Sequence, residues 1–225
     1  MRIKKILLGF VALSFALFAY SGQTSEYCLY WGLKGNIKKI TSETRKISVD
    51  GKIAEDFVSV WQSEYDEAGK SLSEICYSVY KGRKRVFTRY AFKYDDGGNL
   101  VAKIMLDENG SPIPDRVIYV EESESQRKFT STTGKKIDFI TIEKKENGRI
   151  VSSSLVDVKS GEIKGTDIYK FDENGNKIGW ASLSKDAGCD FEIKERDARG
   201  NPTKVYINKA RDGGSIVVYY YEYYK

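Results

Sequence analysis

The chain has 225 residues, with 37 basic and 32 acidic side chains, no histidine and a formal net charge of +5. Three basic residues, Arg2, Lys4 and Lys5, lie within the first 21 residues, which contain no acidic residue; without this segment 34 basic residues face 32 acidic ones, a net charge of +2. This near balance excludes the basic footprint of a nucleic-acid-binding protein, and the lack of histidine excludes Ser-His-Asp and Cys-His catalysis and most zinc sites.

Residues 1–21 are predicted to form a cleaved secretory signal peptide. The basic segment is followed by an uncharged, mostly apolar run from Ile6 to Tyr20, which is short for a spanning helix. The small residues Ala19 and Ser21 place cleavage after Ser21, with Gly22 as the alternative position. Residues 22–225 then form a single exported domain without a transmembrane helix; an uncleaved tether is the alternative. The expected location is the periplasm, the outer membrane or the outside of the cell.

Three cysteines follow the signal: Cys28, Cys76 and Cys189. Export permits a disulfide, and the odd number leaves at least one thiol outside any internal pair. The preferred pair is Cys28–Cys76, although spacing alone does not determine connectivity.

Turn glycines indicate a repetitive β protein. From Gly98 to Gly213 they recur every 12 to 14 residues, with one double interval whose middle is the polar stretch "EESESQ" (121–126). Such an interval fits a strand of eight to ten residues and a short turn. The prediction is an all-β fold: a long antiparallel meander of repeated β-hairpins with about 13–14 strands. A sheet of this length is expected to twist and curl into a barrel-like or sandwich-like form.

The segments between the turns mostly alternate between apolar and polar residues, as half-buried strands do. In "VFTRYAFKY", one face is predicted to carry Val86, Thr88, Tyr90, Phe92 and Tyr94. The next segment repeats the pattern with an apolar face formed by Leu100, Ala102, Ile104 and Leu106.

A short unit recurs at four of the turns, as "EYDEAGK", "KYDDGGN", "KFDENGN" and "ERDARGN". Its Asp can accept a hydrogen bond from the amide two residues on, and its Gly can take a positive φ that closes the turn. These residues are therefore predicted to be structural: Asp66, Gly69, Asp95, Gly98, Asn99, Asp172, Gly175, Asn176, Asp197, Gly200 and Asn201.

Calcium binding is the functional alternative for this unit, because Asp172, Asn174 and Asn176 alternate as oxygen ligands do. The segment lacks the distal Glu of an EF-hand loop, and the other copies carry Ala68, Gly97 or Arg199 at the second ligand position. We therefore predict no metal site and no cofactor.

The recurring unit resembles the YD repeats of the RHS family, which carry Tyr-Asp-x-x-Gly followed by Asn or Arg. The opening segment "GLKGNIKKITSETRKI" is also similar to small exported bacterial proteins built from such units, and the resemblance covers roughly residues 30–205. It implies a long antiparallel sheet of hairpins and a role in surface, carbohydrate or partner binding.

Aromatic side chains are the best candidates for ligand contacts. Exposed tryptophans and tyrosines could stack on sugar rings, although a Trp on a half-buried strand more often belongs to the core. The candidate residues are Trp31, Trp61, Trp180, Tyr219, Tyr221 and Tyr223.

The sequence therefore predicts a non-enzymatic binding or structural module of the bacterial cell envelope or of the secreted fraction, with a glycan or an envelope protein as its partner. One alternative is an outer-membrane β-barrel, which export and hairpin spacing favour. Another is a carboxylate-based glycoside-processing enzyme, since 32 acidic residues offer candidate pairs.

Overall fold

A computed structural model describes residues 33–48, 50–55, 57–173, 175–184, 187–209 and 214–225. The predicted signal peptide, Cys28 and Trp31 lie outside these ranges. The described residues form fourteen strands: β1 (Ile37–Ile47), β2 (Phe57–Tyr65), β3 (Ser71–Tyr80), β4 (Arg83–Tyr94), β5 (Leu100–Leu106), β6 (Pro112–Glu122), β7 (Gln126–Thr133), β8 (Lys136–Glu146), β9 (Arg149–Val156), β10 (Ile163–Phe171), β11 (Lys177–Ser182), β12 (Gly188–Arg196), β13 (Pro202–Lys209) and β14 (Gly214–Tyr223). Within the same ranges, no helix has the length and apolar character needed to cross a membrane.

The strands form one closed antiparallel barrel. Each strand pairs with its neighbours in sequence, and β14 pairs with β1 over the register from Ile37↔Tyr223 to Ile47↔Gly214. This confirms the all-β meander, the estimate of 13–14 strands and the barrel-like form of the sheet. Closure leaves no free sheet edge along the β1–β14 seam, which removes a site where other chains could pair.

Alternation along each strand separates a lumen face from an outer face. On β2, Ser59, Trp61 and Ser63 line the cavity inside the barrel, so Val58 and Val60 face outward. The lumen thus receives serines where the sequence suggested an apolar inner face.

Two bulges correct the faces predicted for β4 and β5. Cys76 pairs with Thr88 but Tyr77 pairs with Val86, so Phe87 is the extra residue and Val86 leaves the face of Thr88. On β5, Lys103 lines the lumen together with Leu100. A shift of one residue turns every following side chain to the other face, and the uniform apolar faces predicted for these two strands are therefore wrong.

The hairpins give the barrel two distinct ends. Turns after even-numbered strands lie at one end, which also holds the start of β1 and the end of β14; we call it the closed end. A buried cluster of Leu33, Ile37, Ile40 and Tyr65 fills it, with Tyr219, Tyr221 and Tyr223 packed against the cluster. Turns after odd-numbered strands lie at the opposite end, which we call the open end.

All four copies of the recurring unit lie at the closed end. Each Asp carboxylate accepts a hydrogen bond of 2.7–2.8 Å from the amide four residues on, at Lys70, Asn99, Asn176 and Asn201. The amide two residues on also donates at Asp197, from Arg199 at 2.9 Å. The turn glycines have φ between +79° and +85°, as the pattern predicts.

Not every predicted turn glycine lies in a turn. Gly188 is the first residue of β12, where an added Cβ would lie 2.7 Å from the Trp180 carbonyl oxygen. Gly188 therefore permits close approach of β11 and β12, whereas Gly213 lies outside the described ranges. The polar stretch "EESESQ" does hold a turn, between β6 and β7.

Candidate functional site

The lumen contains an inner cavity of about 620 Å³ that lies above the closed-end cluster. Three aromatic residues from β2, β4 and β7 form its apolar wall: Trp61, Phe92 and Phe129. Hydroxyl groups line much of the rest, at Ser42, Thr44, Ser59, Ser63 and Ser71. The cavity can therefore contact both the faces of a ring and the hydroxyl groups of a ligand.

Charged side chains from four strands also reach this cavity: Glu74, Lys103, Arg127 and Glu143. The Lys103 ammonium lies 5.4 Å from the centre of the Phe92 ring and 5.3 Å from that of Phe129. Burial raises the pKa of the Glu74 carboxyl above its ordinary value, and the positive charge of Lys103 opposes this. Glu74 and Lys103 thus place one acid and one cation on the cavity wall.

Arg127 is held in place by acids on both neighbouring strands. It donates from Nε and Nη2 to the Glu122 carboxylate at 3.2 and 3.1 Å, and its Nη1 lies 3.8 Å from Glu143. Lys145 also pairs with Glu122. Burial raises the pKa of Glu122, but the hydrogen bonds from Arg127 and Lys145 outweigh it, and the net shift is downward. These contacts tie β6, β7 and β8 together inside the barrel.

A second cavity in the lumen has a volume of about 750 Å³ and is lined by β8–β11. We call it the outer cavity because it lies nearer the open end. Trp180 and Leu155 provide its apolar surface, and Ser153, Thr141 and Ser182 provide hydroxyl groups. Lys164 and Asp167 add one charge of each sign. Like the inner cavity, it combines one tryptophan, several hydroxyl groups and side chains of both charges.

A buried lysine, Lys177, begins β11 at the closed end. Burial lowers the pKa of Lys177 to about 8, and its ammonium lies 3.5 Å from the centre of the Tyr169 ring. Lys177 is 8% exposed, so it supports the wall and does not present its charge to a lumen ligand.

The structure separates the predicted aromatic candidates into two groups. Trp61, which is 38% exposed, and Trp180 line the lumen cavities. The rings of Tyr219, Tyr221 and Tyr223 instead stack on one another at 6.3 and 6.2 Å in the closed-end cluster.

The hydroxyls of this tyrosine row are already used by the chain. Tyr221 donates to the Pro202 carbonyl at 2.7 Å, and Tyr223 donates to Asp197 at 2.5 Å. Burial raises the pKa of Tyr219 to about 12. Tyr221 and Tyr223 therefore use their hydroxyls to hold the closed end together, whereas Tyr219 also lines the inner cavity.

Sequence analysis missed Phe92, Phe129, Glu74 and Lys103 as lumen residues. Serine recurs at alternate positions in strands such as "SVWQSEY", and this pattern indicates a polar inner face. The expectation of an apolar inner face led away from this interpretation. Cys76 lies on the lumen side of β3 opposite Trp61, and its predicted partner Cys28 lies outside the described ranges.

No cluster of three or more potential metal ligands occurs in the described part of the chain. At the turn for which calcium was the alternative, Asp172 accepts hydrogen bonds from the backbone and the side chain of Asn176, while Asn174 lies outside the described ranges. The carboxylate is thus engaged by its own turn.

No protein-family model matches the chain, and no curated protein matches it significantly. Similar solved structures include a porin-like protein from Bacteroides uniformis, with 10% identity, a TM-score of 0.44 and coverage of 83% of this chain and 98% of that one. A LolA superfamily protein from Nitrosomonas europaea has 10% identity, a TM-score of 0.30 and coverage of 88% and 90%. An outer membrane lipoprotein-sorting protein domain from Vibrio parahaemolyticus has 8% identity, a TM-score of 0.30 and coverage of 88% and 89%. The closed barrel itself is established by the strand pairing of this chain.

Proposed function

We propose that this chain is an exported, non-enzymatic binding protein of the bacterial envelope that takes a glycan into its barrel lumen. The observation that carries the proposal is the exposure of Trp61 and Trp180 to two cavities that also present hydroxyl and charged groups. Aromatic faces stack on the apolar faces of sugar rings, and the polar groups orient the sugar hydroxyls. We also propose that the closed-end turns, which resemble YD repeats, relate the chain to carbohydrate- or partner-binding proteins of that kind.

Charged residues on the outer face favour a barrel surrounded by water over a barrel that spans a lipid bilayer. Glu43 lies between Val60 and Val218 on the outside of β1–β2–β14, and Asp190 and Glu192 are exposed on β12. Charges in the middle of a lipid-facing wall are costly. The alternative of an integral outer-membrane barrel is therefore less well supported.

The decisive experiment is glycan binding by residues 22–225, first on a glycan array and then by titration calorimetry with the best ligand. Loss of one stacking ring in Trp61→Ala or Trp180→Ala should weaken binding about tenfold. The matched control is Tyr220→Ala, because Tyr220 is 53% exposed on the outer face. Absence of any glycan ligand, or equal weakening by the control, would contradict the proposal.

A further inference from the structure

Exposed large apolar side chains concentrate at the open end of the barrel. Seven of those that the structure describes lie in or next to its turns: Ile53, Tyr80, Ile137, Leu155, Val158, Ile163 and Leu183. At the closed end, Leu72 is the corresponding exposed residue among the described ones. Contiguous apolar surface on a protein marks a site that meets a membrane or another protein, so the turn at which exposed aromatic residues share one hairpin is the strongest candidate.

The β3–β4 hairpin extends beyond the part of β4 that pairs with β5. Pairing of β4 with β5 begins at Tyr90, so the segment Arg83–Arg89 pairs with β3 alone. At about 3.3 Å per residue, these seven residues reach roughly 20 Å along the strand beyond the β4–β5 pairing. The tip is therefore available to a flat surface before the neighbouring β5–β6 turn is.

The tip of this hairpin combines basic and aromatic side chains. Lys81, Arg83, Lys84 and Arg85 are all exposed, and none is among the ion pairs found in the described part of the chain. Two aromatic residues flank them, Tyr80 at 47% and Phe87 at 53% exposure.

The basic groups lie against aromatic rings. The Lys81 ammonium is 5.3 Å from the centre of the Tyr80 ring, and the Lys84 ammonium is 3.8 Å from that of Tyr77. The Arg85 guanidinium is 5.7 Å from the Phe87 ring. Charges and rings thus lie side by side on one projecting hairpin.

A similar but smaller combination occurs at the β7–β8 turn. Lys135 and Lys136 are exposed there next to Ile137, which is 38% exposed. The β5–β6 turn between the two tips carries the acids Asp107 and Glu108. Because this turn follows the short strand β5, it lies behind the projecting β3–β4 tip.

Protection of an unpaired strand edge is the simpler explanation for part of this arrangement. Lysines, arginines and a bulge all discourage another strand from pairing with an edge. Edge protection, however, does not require two large exposed aromatic rings. Basic residues attract anionic headgroups and aromatic rings insert at the headgroup level, so a membrane surface uses both features.

We propose that the β3–β4 hairpin tip docks the open end of the barrel on a lipid surface that bears anionic headgroups. Lys81, Arg83, Lys84 and Arg85 provide the attraction, and Tyr80 and Phe87 provide the apolar contact. In this orientation the mouth of the lumen faces the bilayer. The proposal does not depend on the identity of the lumen ligand.

Vesicle co-sedimentation of residues 22–225 tests the proposal, with phosphatidylcholine vesicles that contain or lack phosphatidylglycerol. Binding is expected for the anionic vesicles and should fall as ionic strength rises. Lys84→Ala/Arg85→Ala should lower the affinity about thirty-fold, since each basic residue near an anionic surface contributes about fivefold. The matched control is Lys38→Ala/Lys93→Ala, which removes two exposed lysines from the closed half and should leave binding unchanged.

A second variant separates a membrane from other anionic partners. Tyr80→Ser/Phe87→Ser should weaken vesicle binding while the variant keeps the native circular dichroism spectrum. Equal binding to neutral vesicles, or no vesicle binding, would overturn the proposal. It would also be overturned if the aromatic variant bound vesicles normally and the native chain bound a soluble anionic polymer equally well. If the native chain dimerises and these substitutions abolish the dimer, the tip is instead an interface between copies, which also overturns the proposal.

Discussion

The two ends of the barrel use the same hairpin geometry, and turn carboxylates accept hydrogen bonds from backbone amides at both, as at Asp197 and Asp107. They differ in burial: at the closed end, Asn201 is only 1% exposed. At the open end, charged and apolar side chains both remain exposed, as at Lys84 and Phe87. The free energy of unfolding is therefore expected to depend mainly on the closed end, and membrane binding on the open end.

The closed end also explains one irregular copy of the recurring unit. Arg196 stands where the other copies have Tyr65, Tyr94 or Phe171. Its guanidinium donates to the Gly200 carbonyl at 2.7 Å and to Asn176 Oδ1 at 3.3 Å. Arg196 thus ties its own turn to the preceding copy, and hydrogen bonds take the place of aromatic packing.

The largest stability difference between the ends is expected for tyrosine truncation. Tyr65→Ala removes a ring that is 1% exposed in the closed-end cluster, and loss of such a ring costs about 4 kcal/mol. Tyr80→Ala removes a ring that is 47% exposed at the open end, and the cost should stay below about 0.5 kcal/mol. Urea denaturation monitored by circular dichroism measures both free energies of unfolding. Similar values for the two variants would refute the assignment of the ends.

A smaller difference is expected between two asparagines of the recurring unit. Asn201 Nδ2 donates to the Lys34 carbonyl at 2.8 Å and to the Tyr223 hydroxyl at 2.7 Å, and its Oδ1 accepts from the Lys34 amide at 2.6 Å. Asn201→Ala leaves these buried groups unsatisfied and should cost about 3 kcal/mol.

The matched control for Asn201 is Asn99, which is exposed and whose side chain bonds only within its own turn, to Asp95. Asn99→Ala should cost less than about 1 kcal/mol. The same urea titrations compare the two. If Asn99 proves as costly as Asn201, the unit stabilises each turn locally and does not anchor the N-terminal segment to the last hairpin.

The sequence predicted those parts of the fold that depend on local rules. Turn glycines with positive φ, the Asp-to-amide contacts and the period of the strands all follow from residues within one hairpin. Closure of β14 on β1 depends on the accumulated twist and register of the sheet, which no single hairpin encodes. The sequence did not predict the bulge at Phe87 either, because the apolar pattern of β4 is compatible with a regular strand and with one that has an extra residue.

The candidate site was predictable only where residue type alone identified it. Trp61 and Trp180 are conspicuous in the sequence, but their place in the lumen follows from register with serine-rich neighbours. The tyrosine row of β14 looked similar to them, yet Tyr221 and Tyr223 find partners in Pro202 and Asp197 far along the chain. Only such tertiary contacts distinguish a packed ring from one available to a ligand.

The smallest effect concerns Glu74, which lies in the inner cavity between the two ends. Burial raises the pKa of its carboxyl above the ordinary value of 4.5. The folded state therefore keeps the proton to higher pH than the unfolded chain, and stability falls as the pH rises through this interval. Glu74→Gln should raise the melting temperature at pH 8 and leave it unchanged at pH 4. Glu108→Gln, at an exposed open-end turn, should change neither value. An unchanged melting temperature for Glu74→Gln at pH 8 would show that the inner cavity is hydrated enough to solvate the carboxylate, and its polar walls would then resemble the open end.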